Sequence, residues 1–323
     1  MAVTTSNSGR AILLAPYSLE SEKMALAFFA CARAGWHAFT GQRRIAWMSH
    51  APVHQWPAGW CSFFEPVPNS AGYLRWLNKL EALARCPTHE TVFFDCDMVV
   101  LGNVSGWFDQ LGTDDFTFFT RRLKPEDMRP EQMVHNVLNP RAFCEHYGVE
   151  EMPAIVGGGH YFFRNTERGR SVLQRIAEIM LEAASNPNAL YWKLAGDGNL
   201  IGDEPAASMA AVELGIQLPP STWAASSPPV AMFMEGPQRW IEHDLTGGNV
   251  RFFCSWENQD LTPTVVHFGG HGKTDPVYSE LVERVWATRS HSTSTAQGTP
   301  YRPMQSPHAR VAALAKMLNG KPR

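Results

Sequence analysis

The chain has 323 residues, of which 44% are apolar, 18% charged and 11% aromatic. That is the composition of a globular chain long enough for one large or two ordinary domains, and it excludes disordered and fibrous classes. The formal charge of −3 averages two unlike parts: residues 284–323 carry seven basic and no acidic side chains, whereas the first 283 residues hold 21 bases against 31 acids. A basic, acid-free end marks an interaction segment, and the acidic body gives no reason to expect a nucleic-acid partner. Six cysteines (Cys31, Cys61, Cys86, Cys96, Cys144 and Cys254) form neither a C-x-x-C pair nor a metal-type spacing, which points to a reducing compartment. Residues 1–9 are polar and lack the basic and apolar regions of a signal peptide. No stretch approaches the roughly 18 apolar residues of a spanning helix, so a cytoplasmic location is expected.

In chain order, residues 11–16 are an apolar run of strand length closed by a turn signal. A helix is predicted over residues 20–34, with Leu19, Met24, Ala27, Phe28 and Cys31 along one side. Short strands are predicted at 44–48 and 61–66, an amphipathic helix at 73–84, and the most deeply buried strand at 91–94. This alternation predicts an α/β fold with a mostly parallel sheet flanked by helices, in which ligands bind beyond the carboxyl ends of the strands. Further strands are expected at 116–120, 159–163 and 264–268, a helix at 168–184, and a Pro/Ser-rich loop at 221–229. After Trp286 the composition turns to Ser, Thr, His, Gln, Gly and Pro as far as Ser306. Ser306 and Pro307 can open a helix that carries Val311, Leu314 and Leu318 on one face. No internal repeat is found, so the expected organisation is a flexible 1–9, one catalytic-type domain at 10–286, a linker at 287–306 and a basic helical tail at 307–323.

The segment 91–100 reads TVFFDCDMVV, with two carboxylates one residue apart at the end of an apolar strand. An unpaired buried carboxylate is costly, so Asp95 and Asp97 need either a shared cation or backbone amides to cap. Oxygen ligands of this kind suit Mg²⁺ or Mn²⁺ bound together with substrate phosphates. A second constellation, His267-Phe268-Gly269-Gly270-His271-Gly272-Lys273, follows a late apolar strand. It offers an imidazole ligand that favours Mn²⁺ in a mixed shell, glycines that let the chain come close to a ligand, and a lysine suited to a phosphate.

Taken with Arg75 to Leu80 and with Glu90 to Asn103, these motifs resemble GT-A-fold nucleotide-sugar glycosyltransferases, and the H-x-x-G-x-x-K pattern resembles the retaining family-8-like members. The resemblance implies a GT-A, Rossmann-like single domain that moves a sugar from a UDP-sugar donor to a saccharide or lipid-linked glycan acceptor, with Mn²⁺ or Mg²⁺ as cofactor. It implies Asp95, Asp97 and His267 as metal ligands, with His271 a competitor for the last place. It further implies Asp95, Lys79, Gly270 and Lys273 against the donor, and Pro16, Tyr17 and Ser18 bordering the nucleobase. Residues 156–165 resemble the family's glycine strand under the donor sugar, with Gly158 and Gly159 in contact, although the family's Asn is replaced; three glycines also suit a β-bulge. Asp203 and Glu204 fall where the family carries an acidic pair facing the anomeric carbon, so they either stabilise the transition state or act as nucleophile, or else they are ordinary helix N-terminal acids. The family continues K-P-W where this chain reads Lys273-Thr274-Asp275-Pro276, which separates it from the family-8 pattern. Trp223, Trp240 and Trp256 serve either as a sugar-stacking platform or as packing.

Asp95-Cys96-Asp97-Met98-Val99 also fits the D-x-D-x-[TV] signature of haloacid-dehalogenase-type phosphatases, with Lys193 and residues 196–199 imitating later elements. Against this reading, some 90 residues precede Asp95, the second Asp of the later motif is missing after Asn199, and His267 to Lys273 go unexplained. A non-catalytic nucleotide- or glycan-binding relative is the other alternative. The basic tail suits either an anionic membrane surface, with the protein peripheral to its inner face, or a neighbouring subunit in a homo-oligomer.

Overall fold

The computed structural model describes residues 9–16, 18–31, 43–46, 77–86, 88–102, 108, 115–117, 120–127, 138–155, 159–194, 201–216, 230–232, 238–254 and 258–288. The elements run β1 (Arg10–Leu14), α1 (Leu19–Ala30), β2 (Arg43–Ala46), α2 (Leu77–Arg85), β3 (Glu90–Phe94), β4 (Met98–Val100), β5 (Phe116–Thr117) and β6 (Thr120–Leu123). They continue α3 (Pro140–Tyr147), β7 (Met152–Ile155), β8 (His160–Arg164), α4 (Glu167–Ser185), α5 (Leu190–Leu194) and α6 (Asp203–Glu213). The last are β9 (Val230–Met232), β10 (Gln238–Asp244), β11 (Asn249–Cys254), β12 (Gln259–Leu261), β13 (Val265–His267) and α7 (Pro276–Thr288). They fall into two compact units: β1 to β4 with α1, β9 to β13 and α7 in the first, and α2, β5 to β8 and α3 to α6 in the second.

In the first unit β1 lies between β2 and β3, parallel to both, with Ala11 opposite Arg43 and Thr91. Ala11, Ile12, Leu13 and Leu14 are wholly buried, as a strand covered on both faces requires, and each of the larger three contributes roughly 1.5–3 kcal/mol by burial. Polar groups appear only where β1 begins, where Arg10 Nε donates to Glu90 Oε2 at 2.9 Å. The first turn of α1 is closed by a reciprocal cap, Ser21 N–H to Ser18 Oγ at 3.1 Å and Ser18 N–H to Ser21 Oγ at 2.8 Å. Helix α1 was expected to be one-sided, yet Ala25, Leu26, Ala27, Phe28 and Phe29 are all buried. It packs on α7 and on β4 at once, so it has little free face. The helix also stops at Ala30, because Cys31 turns to ψ 130, instead of running to residue 34.

A second sheet of this unit has β13 at its centre, antiparallel to β4 and parallel to β9. The register sets His267 opposite Met98 on one side and Met232 on the other. The antiparallel meander β10-β11-β12 completes the unit's sheets. Its first turn is closed by a side chain, Gly247 N–H donating to Asp244 Oδ1 at 2.9 Å, and Gly248 follows at φ +73.

In the second unit β5 pairs antiparallel with β8, and β6 with β7. The single strand expected at 116–120 is therefore split between two partners. Residues 160–163 of β8 are buried, and α4 and α6 pack together. Helix α4 is capped by Thr166, whose Oγ accepts from Gly169 N–H at 3.0 Å while its hydroxyl donates to Asp115 Oδ2 at 2.6 Å.

The chain is thus mixed α/β with several small sheets: parallel pairing occurs in β2-β1-β3 and between β9 and β13, and antiparallel pairing in the other ladders named. Helix α7 runs two residues beyond the expected domain end at 286. The strand expected at 61–66, the loop at 221–229 and the tail at 307–323 lie outside the described residues, as does the linker beyond Thr288. Among the described residues no helix is long and apolar enough to cross a membrane.

Candidate functional site

Strand β3 ends at Phe94, and the chain turns through Asp95, Cys96 and Asp97 into β4, with Met98 N–H donating to Asp95 O at 3.3 Å. Because β13 pairs with β4, the register carries His267 to this turn from 170 positions further along the sequence. The join is clamped on both sides: Phe268 N–H donates to Asp97 O at 2.8 Å and Leu101 N–H to Thr264 O at 2.7 Å. One ligand atom from each of Asp95, Asp97 and His267 lies within 4.8 Å of the others. Lys273, from a 3-10 turn at Gly270–Thr274, places Nζ 2.8 Å from Asp97 Oδ2. Gly270 opens that turn at φ +54, a backbone region where a side chain is strained.

The donor set fits a hard divalent ion. Asp97 Oδ1 lies 3.2 Å from His267 Nε2, both side chains being about nine-tenths buried. Neighbouring ligands in an octahedral shell with metal–oxygen distances of about 2.1 Å stand roughly 3 Å apart. Two carboxylates and one imidazole are a mixed oxygen and nitrogen set, which suits Mn²⁺.

Burial pushes the Asp97 carboxyl up, but the electrostatic and hydrogen-bonding pull of His267 and Lys273 outweighs it and holds the group well below the usual carboxylate range. Burial drives the Cys96 thiol far above its ordinary value, helped by the charges of Asp95 and Asp97 and opposed by a backbone hydrogen bond to Ala15 and by Lys273. The thiol between the two carboxylates therefore stays protonated and unreactive at neutral pH. Next along the chain from His267, the ring of Phe268 stacks with that of Tyr278 at 4.2 Å and with that of Trp240 at 6.2 Å. Trp240 Nε1 donates to Asp275 Oδ2 at 3.2 Å, so this tryptophan is packed against the loop that carries Lys273. Trp223 and Trp256 lie outside the described residues.

Pro16 is buried just after β1, and Ser18 is engaged as the cap of α1. Tyr17, Gly158 and the side chain of His271 lie outside the described residues, and Gly159 is buried just before β8. Lys193 lies on α5, whereas residues 196–199 are outside the described set.

Asp203 and Glu204 open α6, the position of helix N-terminal acids. Asp203 is buried in the second unit, where Lys79 Nζ reaches its Oδ2 at 3.2 Å and the Tyr161 hydroxyl donates to the same oxygen. Lys79 also stands over the Tyr161 ring, 5.8 Å from its centre. The backbone N–H of Gly202 donates to Tyr191 Oη at 2.9 Å. Lys79 and Asp203 were singled out separately in the sequence and the tyrosines were not; for Tyr161 the available signal was that a tyrosine in a buried strand needs a hydrogen-bond partner.

No protein-family model matches the chain, and no curated protein matches it. Among solved structures it is similar to the glycosyltransferase GlyE of Streptococcus pneumoniae TIGR4, at 13% identity and a TM-score of 0.36. The match covers 62% of this chain and 43% of that one, less than half of its length.

Proposed function

We propose that the chain is a divalent-cation-dependent glycosyltransferase that moves a sugar from a nucleotide-diphosphate donor, a UDP-hexose, to a hydroxyl of a saccharide or lipid-linked glycan, with retention. The observation that carries the proposal is convergence. The D-x-D carboxylates and the distant histidine and lysine of H-x-x-G-x-x-K, the motifs that resemble nucleotide-sugar glycosyltransferases, meet at one point of the first unit.

Asp95, Asp97 and His267 would hold the ion. Mn²⁺ or Mg²⁺ bound there supplies the positive charge against which a diphosphate can leave. Asp97 remains ionised throughout the neutral range, because the charges around it outweigh its burial. His267 contributes a nitrogen ligand from the rigid end of β13, held in register by the Phe268 and Leu101 backbone bonds. Lys273 brings a compact positive charge on a partly exposed side chain, suited to a phosphate oxygen. Gly270 gives the turn a conformation in which backbone can lie close to a bound anion.

A panel of nucleotide sugars incubated with the protein and Mn²⁺ tests the proposal. At least one is expected to be hydrolysed slowly in the absence of acceptor, with the rate lost on chelation. Asp97→Ala is expected to lower that rate by roughly 10³-fold or more, with an unchanged circular dichroism spectrum. Full activity of Asp97→Ala in chelator would overturn the mechanism.

A further inference from the structure

Lys273 touches one of the three candidate cation ligands directly. Its ammonium sits 2.8 Å from Asp97 Oδ2, while the other oxygen of that carboxylate faces His267. Asp97 is about nine-tenths buried, with the carboxylate of Asp95 in the same cluster, so negative charge there needs a counter-charge. Lys273 supplies that counter-charge at hydrogen-bond distance. Lys273 itself is 43% exposed and rides on a five-residue 3-10 turn, so its four-carbon stem has room to swing away from Asp97 without disturbing a packed element.

We infer that Lys273 is a built-in counter-cation that competes with a divalent ion for Asp97. A metal taking that carboxylate repels the ammonium and turns it outward, where it becomes available to an anion. Occupation of the cluster by metal and release of Lys273 are then two halves of one exchange. Affinity for the metal alone is lowered by the lysine it has to displace, and the released charge is recovered only when an anion accompanies the metal. This inference rests on the reading of Asp95, Asp97 and His267 as cation ligands.

Calorimetric titration of Mn²⁺ into the full-length wild-type protein, Lys273→Gln and Lys273→Arg separates the inference from that reading. Lys273→Gln is expected to bind Mn²⁺ roughly three- to tenfold more tightly than wild type. Lys273→Arg keeps the charge and is expected to bind no more tightly than wild type. As a check that does not use the titration, Lys273→Gln is expected to melt at a lower temperature than wild type in chelator and to gain more from added Mn²⁺. Binding to wild type with equal or weaker binding to Lys273→Gln would overturn the inference and leave the ligand assignment standing. Tighter binding by Lys273→Arg would overturn it too. If no protein binds Mn²⁺, both the inference and the ligand assignment fall.

Discussion

At the scale of single residues, the two lysine–aspartate pairs make opposite demands on their surroundings. Lys79 and Asp203 are 13% and 2% exposed, and Tyr161 closes over both, so removing the lysine strands a buried carboxylate. Lys79→Met is expected to destabilise the protein by about 3–5 kcal/mol, read as a lower urea midpoint, and a change below about 0.5 kcal/mol would remove the pair from the account of the fold. Lys273 and Asp97, by contrast, hold a half-exposed lysine against a buried carboxylate, so the lysine is the partner with access to solvent. The carboxylates of the candidate site were legible in the sequence because charge beside an apolar strand is unusual enough to demand a reason. Tyr161, which bonds Asp203, was not, because a tyrosine in the run HYFFR reads as core until its hydroxyl partner is seen.

At the scale of elements, legibility followed the uniformity of the environment. Strands β1 and β3 are buried on both faces and read as continuous apolar runs, so their predicted positions lie within two residues of those observed. Helix α4, amphipathic over five turns, was placed within one residue at either end. Strand β10, Gln238–Asp244, was missed because Arg239, Ile241, Glu242 and His243 are all exposed, and an edge strand with no buried face shows no period of two. The Asp244 to Asn249 turn was its one available signal. The meeting of β4 and β13, which makes the candidate site, cannot be read from either strand alone, because runs as short as Met98-Val99-Val100 and Val265-Val266-His267 fit many partners.

The junction of β8 with α4 depends on a glycine for space. A Cβ on Gly169 would run into the Arg164 carbonyl oxygen and press on that of Asp115. Gly169→Ala is therefore expected to cost about 1–3 kcal/mol despite alanine's better helix propensity, and a thermal melt at or above the wild-type temperature would contradict this.

At the scale of the whole chain, buried acids of high pKa are found in both units. In the first, burial pushes Cys31 up to about 12 and raises Cys96 and Tyr278 well above their ordinary values. In the second, burial raises Tyr191. The fold favours the protonated form of each, so the unfolded chain gives up these protons first. The stability linked to them is whole below pH 9, the ordinary cysteine value, and is lost as pH rises through the folded values. Each such group weakens the fold by about 1.4 kcal/mol per pH unit within its window, so the urea midpoint should be lower at pH 10 than at pH 8; an equal or higher midpoint would contradict these burials. The −3 net charge likewise hides a local fact: the acidic body gathers two of its carboxylates at one turn, where His267 and Lys273 already oppose them.

That local balance is the centre of the account, and it is tested most directly by following free Mn²⁺ with electron paramagnetic resonance as protein is added. The account predicts that wild-type protein removes about one equivalent from the free-ion signal and that folded Asp97→Ala removes none. A wild-type protein that leaves the signal undiminished, or an Asp97→Ala variant that depletes it equally, would contradict the assignment of Asp95, Asp97 and His267 as a cation site.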